Sequence, residues 1–182
     1  ELINNTNEVL NYWNTEKSSF VSRNGNSATS SLNLLINDFI YYYEKGFRAN
    51  KIGIPAGVYS NTPLTQNVEA RYCQNYSKFL AHHGLNSSRK FFTGESFDGS
   101  IVGKSLDWYL FKLDPTNQIL IDLINEKFEN SEQMISQLDP NFQNQIINNN
   151  IKMLQTFDAI QELDYKKHLL NHGVKNSHIV KE

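Results

Sequence analysis

The fold of this chain is decided by residues 31–65, which read SLNLLINDFIYYYEKGFRANKIGIPAGVYSNTPLT. Apolar side chains recur there at three- and four-residue steps up to about Ala49, which is the period of an amphipathic α-helix. The pattern then stops, because Pro55 blocks a helical hydrogen-bond ladder and the glycines on either side of it weaken one. The stretch therefore predicts a helix that ends near Ala49, followed by a Gly/Pro-rich break over residues 51–65.

The same helical period recurs along the rest of the chain, and no alternating pattern typical of a strand interrupts it. Long helices joined by short loops predict an all-α fold, an antiparallel helical bundle. We expect one domain over residues 1–173 and a C-terminal tail over residues 174–182. The other predicted helices cover approximately residues 2–22, 66–92, 105–113, 115–138 and 140–173.

Composition excludes several classes of function. The 17 Lys and Arg residues against 19 Asp and Glu residues give a formal net charge of −2, so no basic field exists to hold nucleic acid or an anionic membrane. A single cysteine, Cys73, excludes an intrachain disulfide and a zinc site built on several thiolates. No apolar run is long enough for a transmembrane helix. Because the chain starts without Met or a signal sequence, we expect a mature, trimmed or partial product.

One spacing resembles a metal site. Asp164, His168 and His172 follow one another at four-residue steps, so on a helix they lie near one face and offer oxygen and imidazole ligands. Lys166 and Lys167 stand between them, and the segment is close to the C-terminus. These features favour a solvated terminal face over a metal site.

Two catalytic motifs are rejected on the residues between Asp98 and Asp107. The sequence Gly103-Lys104-Ser105 resembles the end of a phosphate-binding loop, but Asp98 stands where the first glycine is required and no strand precedes it. Ser105 is not a nucleophile in a Gly-x-Ser-x-Gly turn, because Asp107 stands where the second glycine belongs. A loop that leads into a short helix is the simpler interpretation.

The basic end of the second predicted helix allows two interpretations. Arg48 and Lys51 complement the negative end of the helix dipole, and a Gly/Pro-rich backbone follows them immediately. The first interpretation is a helix cap with a rigid connector. The second is a cationic wall with exposed backbone amides, suited to a carboxylate or another anion.

Three segments, residues 48–57, 68–72 and 103–110, resemble the imelysin-like family, to which the iron-regulated protein A group and an insulin-cleaving membrane protease belong. They read RANKIGIPAG, VEARY and GKSLDWYL. Their order and separation resemble the C-terminal half of that family. The resemblance implies one half of an all-helical fold with two bundles, exported to the periplasm or cell surface, often as a lipoprotein anchored through its N-terminus, and linked to iron acquisition.

The hallmark motif of the family, Gly-x-His-x-x-Glu, belongs to the N-terminal half and does not occur in this chain. If the two halves arose by duplication, Ser105 takes the place of the histidine. The resemblance then implies that any iron or zinc is bound mainly by the missing N-terminal half, which becomes the expected partner. It carries no catalytic residue onto this chain, only candidates for the wall of a cleft between halves: Arg48, Lys51, Glu69, Tyr72, Ser105 and Asp107.

Three functions follow from these patterns. The chain is a binding module that completes a ligand or metal site between halves, the substrate-groove half of a metallopeptidase, or a purely structural interaction bundle. An apolar surface left exposed in the isolated chain is expected for the first two, and a well-covered surface for the third.

Overall fold

A computed structural model describes residues 1–25, 27–73 and 75–161 of the chain. It confirms the all-α fold, since the described residues contain helices and turns and, outside them, only one isolated β-bridge. In chain order the helices are α1 (Leu2–Ser22), α2 (Ser31–Tyr41), a π-helix (Tyr42–Gly53), α3 (Ile54–Ala56), α4 (Ser77–Thr93), α5 (Leu106–Leu113), α6 (Gln118–Ser136) and α7 (Phe142–Gln161). Short 3₁₀ turns lie at Thr65–Asn67 and Pro115–Asn117.

The described residues divide into two compact units, residues 1–40 and residues 41–161. In the first unit, α1 and α2 are joined by a turn around Ser31. Its backbone N–H donates to Arg23 O at 2.9 Å, and its hydroxyl donates to Phe20 O. No residue of α1 is buried, although the helix carries Leu2, Val9, Tyr12 and Trp13.

The second unit is built around four long elements: the π-helix, α4, α6 and α7. Each packs on two of the others, in the cyclic order π-helix, α4, α6, α7. Neighbours run antiparallel: the hydroxyl of Tyr43 donates to Ile160 O, while Asn150 lies opposite Ala56 at the other end of the same pair. This arrangement agrees with the antiparallel bundle that the sequence predicts.

The core of this unit consists of apolar side chains from all four elements. Tyr43 packs edge-on against Phe128 at 6.4 Å between ring centroids, and Phe128 contacts Phe92 at 6.1 Å. These aromatic pairs tie the π-helix, α6 and α4 together. The largest fully buried apolar side chains also include Phe47, Ile52, Ile135, Phe142, Met153 and Ile160.

The predicted break begins later than the sequence indicates. Residues 51–56 are helical, because Pro55 lies in the first turn of α3, where a missing N–H is tolerated. The helix ends at Gly57, whose φ of +86° is left-handed. A side chain there would meet the returning loop, since a Cβ would lie 2.8 Å from the nitrogen of Pro63. The expectation of an end near Ala49 is therefore wrong.

The third predicted helix also begins in the wrong place. It starts at Ser77 and not near residue 66, because Ala70 and Asn75 both have positive φ. The Ser77 hydroxyl donates to Glu69 O at 3.0 Å and fixes the entry into α4. The apolar period over residues 66–76 is therefore not a helical face.

The later helices agree more closely with the sequence. Ser105 is the N-cap of α5, and Pro115 opens a single 3₁₀ turn before α6. In α7 the backbone departs from helical geometry at Asn149, with φ −158° and ψ 76°. Residues 153, 156, 157 and 160 are buried beyond this kink, while Ile151 stays exposed.

Candidate functional site

Arg48 is the central residue of the candidate site. It lies on the π-helix with only 9% of its surface exposed. Its Nε and Nη2 both donate to one oxygen of Glu44, at 2.8 and 2.6 Å, across one turn of the same element. The guanidinium plane lies over the ring of Phe157 on α7, 4.3 Å from its centroid. The charge is therefore balanced on one side and covered by an aromatic face on the other.

The third nitrogen of this guanidinium, Nη1, is buried and has no hydrogen-bond partner among the described residues. A buried donor without an acceptor costs about 1–3 kcal/mol, so native structures seldom leave one unpaired. Because Glu44 already balances the charge, the free N–H groups of Arg48 are available to a further acceptor oxygen. This is the strongest sign of a binding position in the described chain.

A second ionic group begins three residues farther along the π-helix, at Lys51. Lys51 forms an ion pair with Glu69, which follows the loop after α3. The Tyr42 hydroxyl and the Lys51 side chain both lie over Gly84 of α4, where a Cβ would be 3.3 Å from each. Burial, together with the negative charge of Glu69, raises the pKa of Tyr42, so its phenol stays protonated and able to donate. Gly84 leaves the space in which these groups meet.

The π-helix that carries both groups is itself unusual. It spans twelve residues, whereas most π-helical segments are single-turn bulges, and such segments occur often at functional sites. Its end is packed tightly: a Cβ on Gly53 would lie 2.8 Å from Cδ2 of Phe157 and closer still to Cε2. Phe157 is also contacted edge-on by Tyr59 at 5.9 Å. The ring under Arg48 is thus held on several sides.

The remaining three predicted site residues lie elsewhere. Tyr72 is 87% exposed and stacks with its neighbour Arg71. Ser105 and Asp107 hydrogen-bond to each other and to the first turn of α5. Ser105 packs beside Gly94 at the end of α4.

Helix α4 gives the separation between the Lys51 group, which lies beside Gly84, and Ser105, which lies beside Gly94. Gly94 is ten positions beyond Gly84, which is about 15 Å along a helix axis. Of the six predicted residues, the structure joins Lys51 and Glu69 in one ion pair, and Ser105 and Asp107 in one hydrogen bond. Arg48 pairs with Glu44 and packs on Phe157 of α7, whereas Lys51 lies over Gly84 of α4.

Comparison with known proteins adds one finding to this geometry. The family model described as Imelysin (Peptidase_M75) matches residues 1–170. The chain belongs to the imelysin family. No curated protein and no solved structure matches it. The family match covers both units and every residue of the candidate site.

A metal centre in this imelysin chain finds no support among the described residues. They contain no group of three His, Cys, Asp or Glu side chains placed to hold an ion. The predicted candidates Asp164, His168 and His172 lie outside the described residues. In the same part of the chain, no helix has both the length and the apolar content that a membrane span requires.

Several residues of the imelysin site were missed by sequence reasoning. Glu44 was detectable, because it precedes Arg48 by four positions and such pairs meet on a helix. Gly84 and Phe157 had no local signal, since they reach these groups only through the packing of α4 and α7 on the π-helix. On α7, Asn150 Nδ2 donates to Ala56 O at 2.9 Å, and its Oδ1 is buried with no partner among the described residues.

Proposed function

We propose that this imelysin chain is the C-terminal helical half of an exported protein linked to iron acquisition, and that it completes a ligand or metal site together with the N-terminal half. The supporting observation is Arg48, which is nine-tenths buried and whose Nη1 has no acceptor within the part of the chain that the structure describes. An acceptor oxygen from a ligand, or from the N-terminal half, would remove the cost of that unpaired donor. Localisation in the periplasm or at the cell surface, with a lipid anchor on the N-terminal half, is part of the proposal.

The Lys51 group would add a second contact on the α4 side of the π-helix, whereas Arg48 faces α7. Its ion pair with Glu69 is nearly neutral overall, and the protonated Tyr42 adds one hydroxyl donor. Net charge therefore does not select an anion here. A directional hydrogen bond from Arg48 would hold the ligand, while iron or zinc would be bound mainly by the other half.

Titration of the complete two-half protein with ferric citrate and with zinc chloride, followed by calorimetry, tests this proposal. Arg48→Lys and Lys51→Met should each weaken binding at least tenfold. Arg89→Lys on the opposite face of α4, where the arginine pairs with Glu129, should leave binding unchanged. If the Arg48 and Lys51 variants bind as the natural protein does while their thermal midpoints persist, the proposal is abandoned.

A second candidate function is favoured by the description of the matching family model, which carries a peptidase name. In this alternative, the metal and the catalytic residues lie on the N-terminal half, and this chain supplies part of the substrate groove. Proteolysis by the complete protein should then stop on chelation and return with zinc or iron. Proteolysis that survives substitution of the His and Glu of the partner motif would exclude it.

The purely structural alternative predicts a well-covered surface. Helix α1 exposes apolar residues and has no buried residue. This exposure favours the two hypotheses that require a partner, the binding module and the substrate-groove half. Analytical ultracentrifugation of the chain alone and with the N-terminal half distinguishes these hypotheses. Only the binding-module and substrate-groove hypotheses predict a stable complex between this chain and the N-terminal half.

A further inference from the structure

The loop between α4 and α5 is ordered by its own hydrogen bonds. Gly94 ends α4 with a φ of +74°, and the N–H of Gly103 donates to Gly94 O at 2.9 Å, closing the base of the loop. Further in, the N–H of Ser96 donates to Ile101 O at 2.8 Å, beside the isolated bridge between Glu95 and Val102. Residues 95–102 thus form a short hairpin, which we call the 95–102 loop.

Two charged side chains hold the tip of this loop. Asp98 accepts hydrogen bonds from the hydroxyls of Ser96 and Ser100, both at 2.7 Å, and from the Ser100 N–H at 3.1 Å. These bonds lower the pKa of Asp98 to about 2, so its carboxylate is charged under all physiological conditions. Lys90 reaches from α4 to Phe97 O at 2.9 Å and to Glu95 at 2.9 Å, which also balances the charge of Glu95.

The loop displays apolar side chains outward. Phe97 at the tip is 92% exposed, and Ile101 and Val102 are 66% and 73% exposed. A rigid loop that exposes an aromatic side chain binds with little loss of conformational entropy, and aromatic anchors of this kind dominate protein interfaces. One fixed negative charge, that of Asp98, lies directly beside the anchor.

We propose that the 95–102 loop docks on a partner protein by inserting Phe97 into an apolar pocket that carries a Lys or Arg side chain at its rim. Charge complementarity identifies this partner chemistry, because Asp98 is the unbalanced charge of the tip while Glu95 is paired with Lys90. The same carboxylate disfavours a lipid bilayer, since insertion of Phe97 would bring a charge toward the hydrocarbon. The surface is separate from Arg48, which lies on the π-helix, and from the Lys51 group, which lies over Gly84, ten residues before Gly94.

Photo-crosslinking in the cells that produce the full-length protein tests the proposal. Phe97 is replaced by p-benzoylphenylalanine, and Tyr41, an exposed aromatic residue at the end of α2, carries the same group as the matched control. We expect a protein adduct at position 97 that is absent at position 41. The crosslinked protein is then purified, and its Kd for the full-length chain is measured by calorimetry.

Three variants decide the result. Phe97→Ser should raise this Kd at least tenfold, and Tyr41→Ser should leave it unchanged. Asp98→Asn, which keeps the acceptor oxygen and removes the charge, should raise the Kd several-fold and reduce its dependence on salt. An adduct with lipid alone, an adduct with a second copy of this chain alone, no adduct, or a Kd that Phe97→Ser does not change would each overturn the proposal. An unchanged thermal midpoint for Phe97→Ser confirms that the variant is folded.

Discussion

Gly53→Ala tests the packing that holds the candidate site. Gly53 ends the π-helix against α7, and a Cβ there would lie 2.8 Å from Cδ2 of Phe157, with Cε2 closer and Tyr59 at 3.1 Å. The ring is buried, and the guanidinium of Arg48 covers it at 4.3 Å. It therefore has little room to move, and the added methyl group must displace either the ring or the backbone of α7.

Two opposing effects set the magnitude. In a helix interior, Gly→Ala usually stabilises by about 1 kcal/mol through backbone propensity. Overpacking of a filled core costs about 1–3 kcal/mol, and a contact this short belongs at the upper end of that range. We expect a net loss of about 1–2 kcal/mol in the free energy of unfolding, which lowers the thermal midpoint by about 2–8 °C.

Thermal and urea unfolding followed by circular dichroism measures the effect. Gly25→Ala is the control, because a Cβ there meets no atom within 4 Å, and its midpoint should stay within the error of measurement. The double variant Gly53→Ala with Phe157→Leu should lose less free energy of unfolding than the sum of the losses of the two single variants. The smaller leucine side chain leaves room for the new methyl group. A thermal midpoint for Gly53→Ala that is unchanged or raised would refute the tight packing of Gly53 against Phe157.

Three further predictions concern side chains that hold helix ends and loops. Lys78→Met removes an ammonium that donates to Ser136 O at 3.0 Å and Leu138 O at 2.7 Å at the end of α6, and should cost about 1–2 kcal/mol in urea unfolding. Ser105→Ala removes the N-cap of α5 and should cost about 0.5–1 kcal/mol by the same assay; a smaller loss would show that the aspartate two residues later caps the helix alone. Because the pKa of Asp98 is lowered from 3.8 to about 2, the hydrogen bonds it accepts stabilise the 95–102 loop above pH 4 and are lost as pH falls through about 2. Carboxyl ¹³C NMR titration should show this midpoint, and a midpoint near 4 would contradict it.

The sequence predicted helices well where the cue was local. The first helix was predicted over residues 2–22, as observed, because Asn24-Gly25 supplies a clear stop. The short helix predicted over residues 105–113 is observed as Leu106–Leu113, and the helix predicted to begin at Pro115 begins after one 3₁₀ turn at that residue. In each case one or two residues determine the backbone, without help from distant contacts.

The errors arose where tertiary contacts override local propensity. Pro55 and Gly53 predicted a break, but packing on α7 keeps residues 51–56 helical, so the chain turns only at Gly57. No pattern in the sequence predicts a π-helix, in which each N–H donates to the carbonyl five residues earlier. The N–H of Ile54, for example, donates to Ala49 O. The apolar period alone therefore places the helix end several residues too early.

The candidate site was predictable in part. Lys51 and Glu69 form an ion pair, because the loop after Gly57 returns Glu69 to the π-helix. Arg48 pairs instead with Glu44 and packs on Phe157 of α7. Tyr72 was predicted on the same helix as Glu69, over residues 66–92. The positive φ of Ala70 ends that relation and turns Tyr72 to solvent.

A high-resolution crystal structure of the complete two-half protein is the sharpest test of the Arg48 binding site. We expect an acceptor oxygen, from the N-terminal half or from a bound ligand, within about 3.2 Å of Nη1 of Arg48. The ion pair of this arginine with Glu44 should persist at the same time. If Nη1 instead contacts only solvent water, or an acceptor of its own helical unit, the Arg48 region is structural and the proposed binding site does not exist.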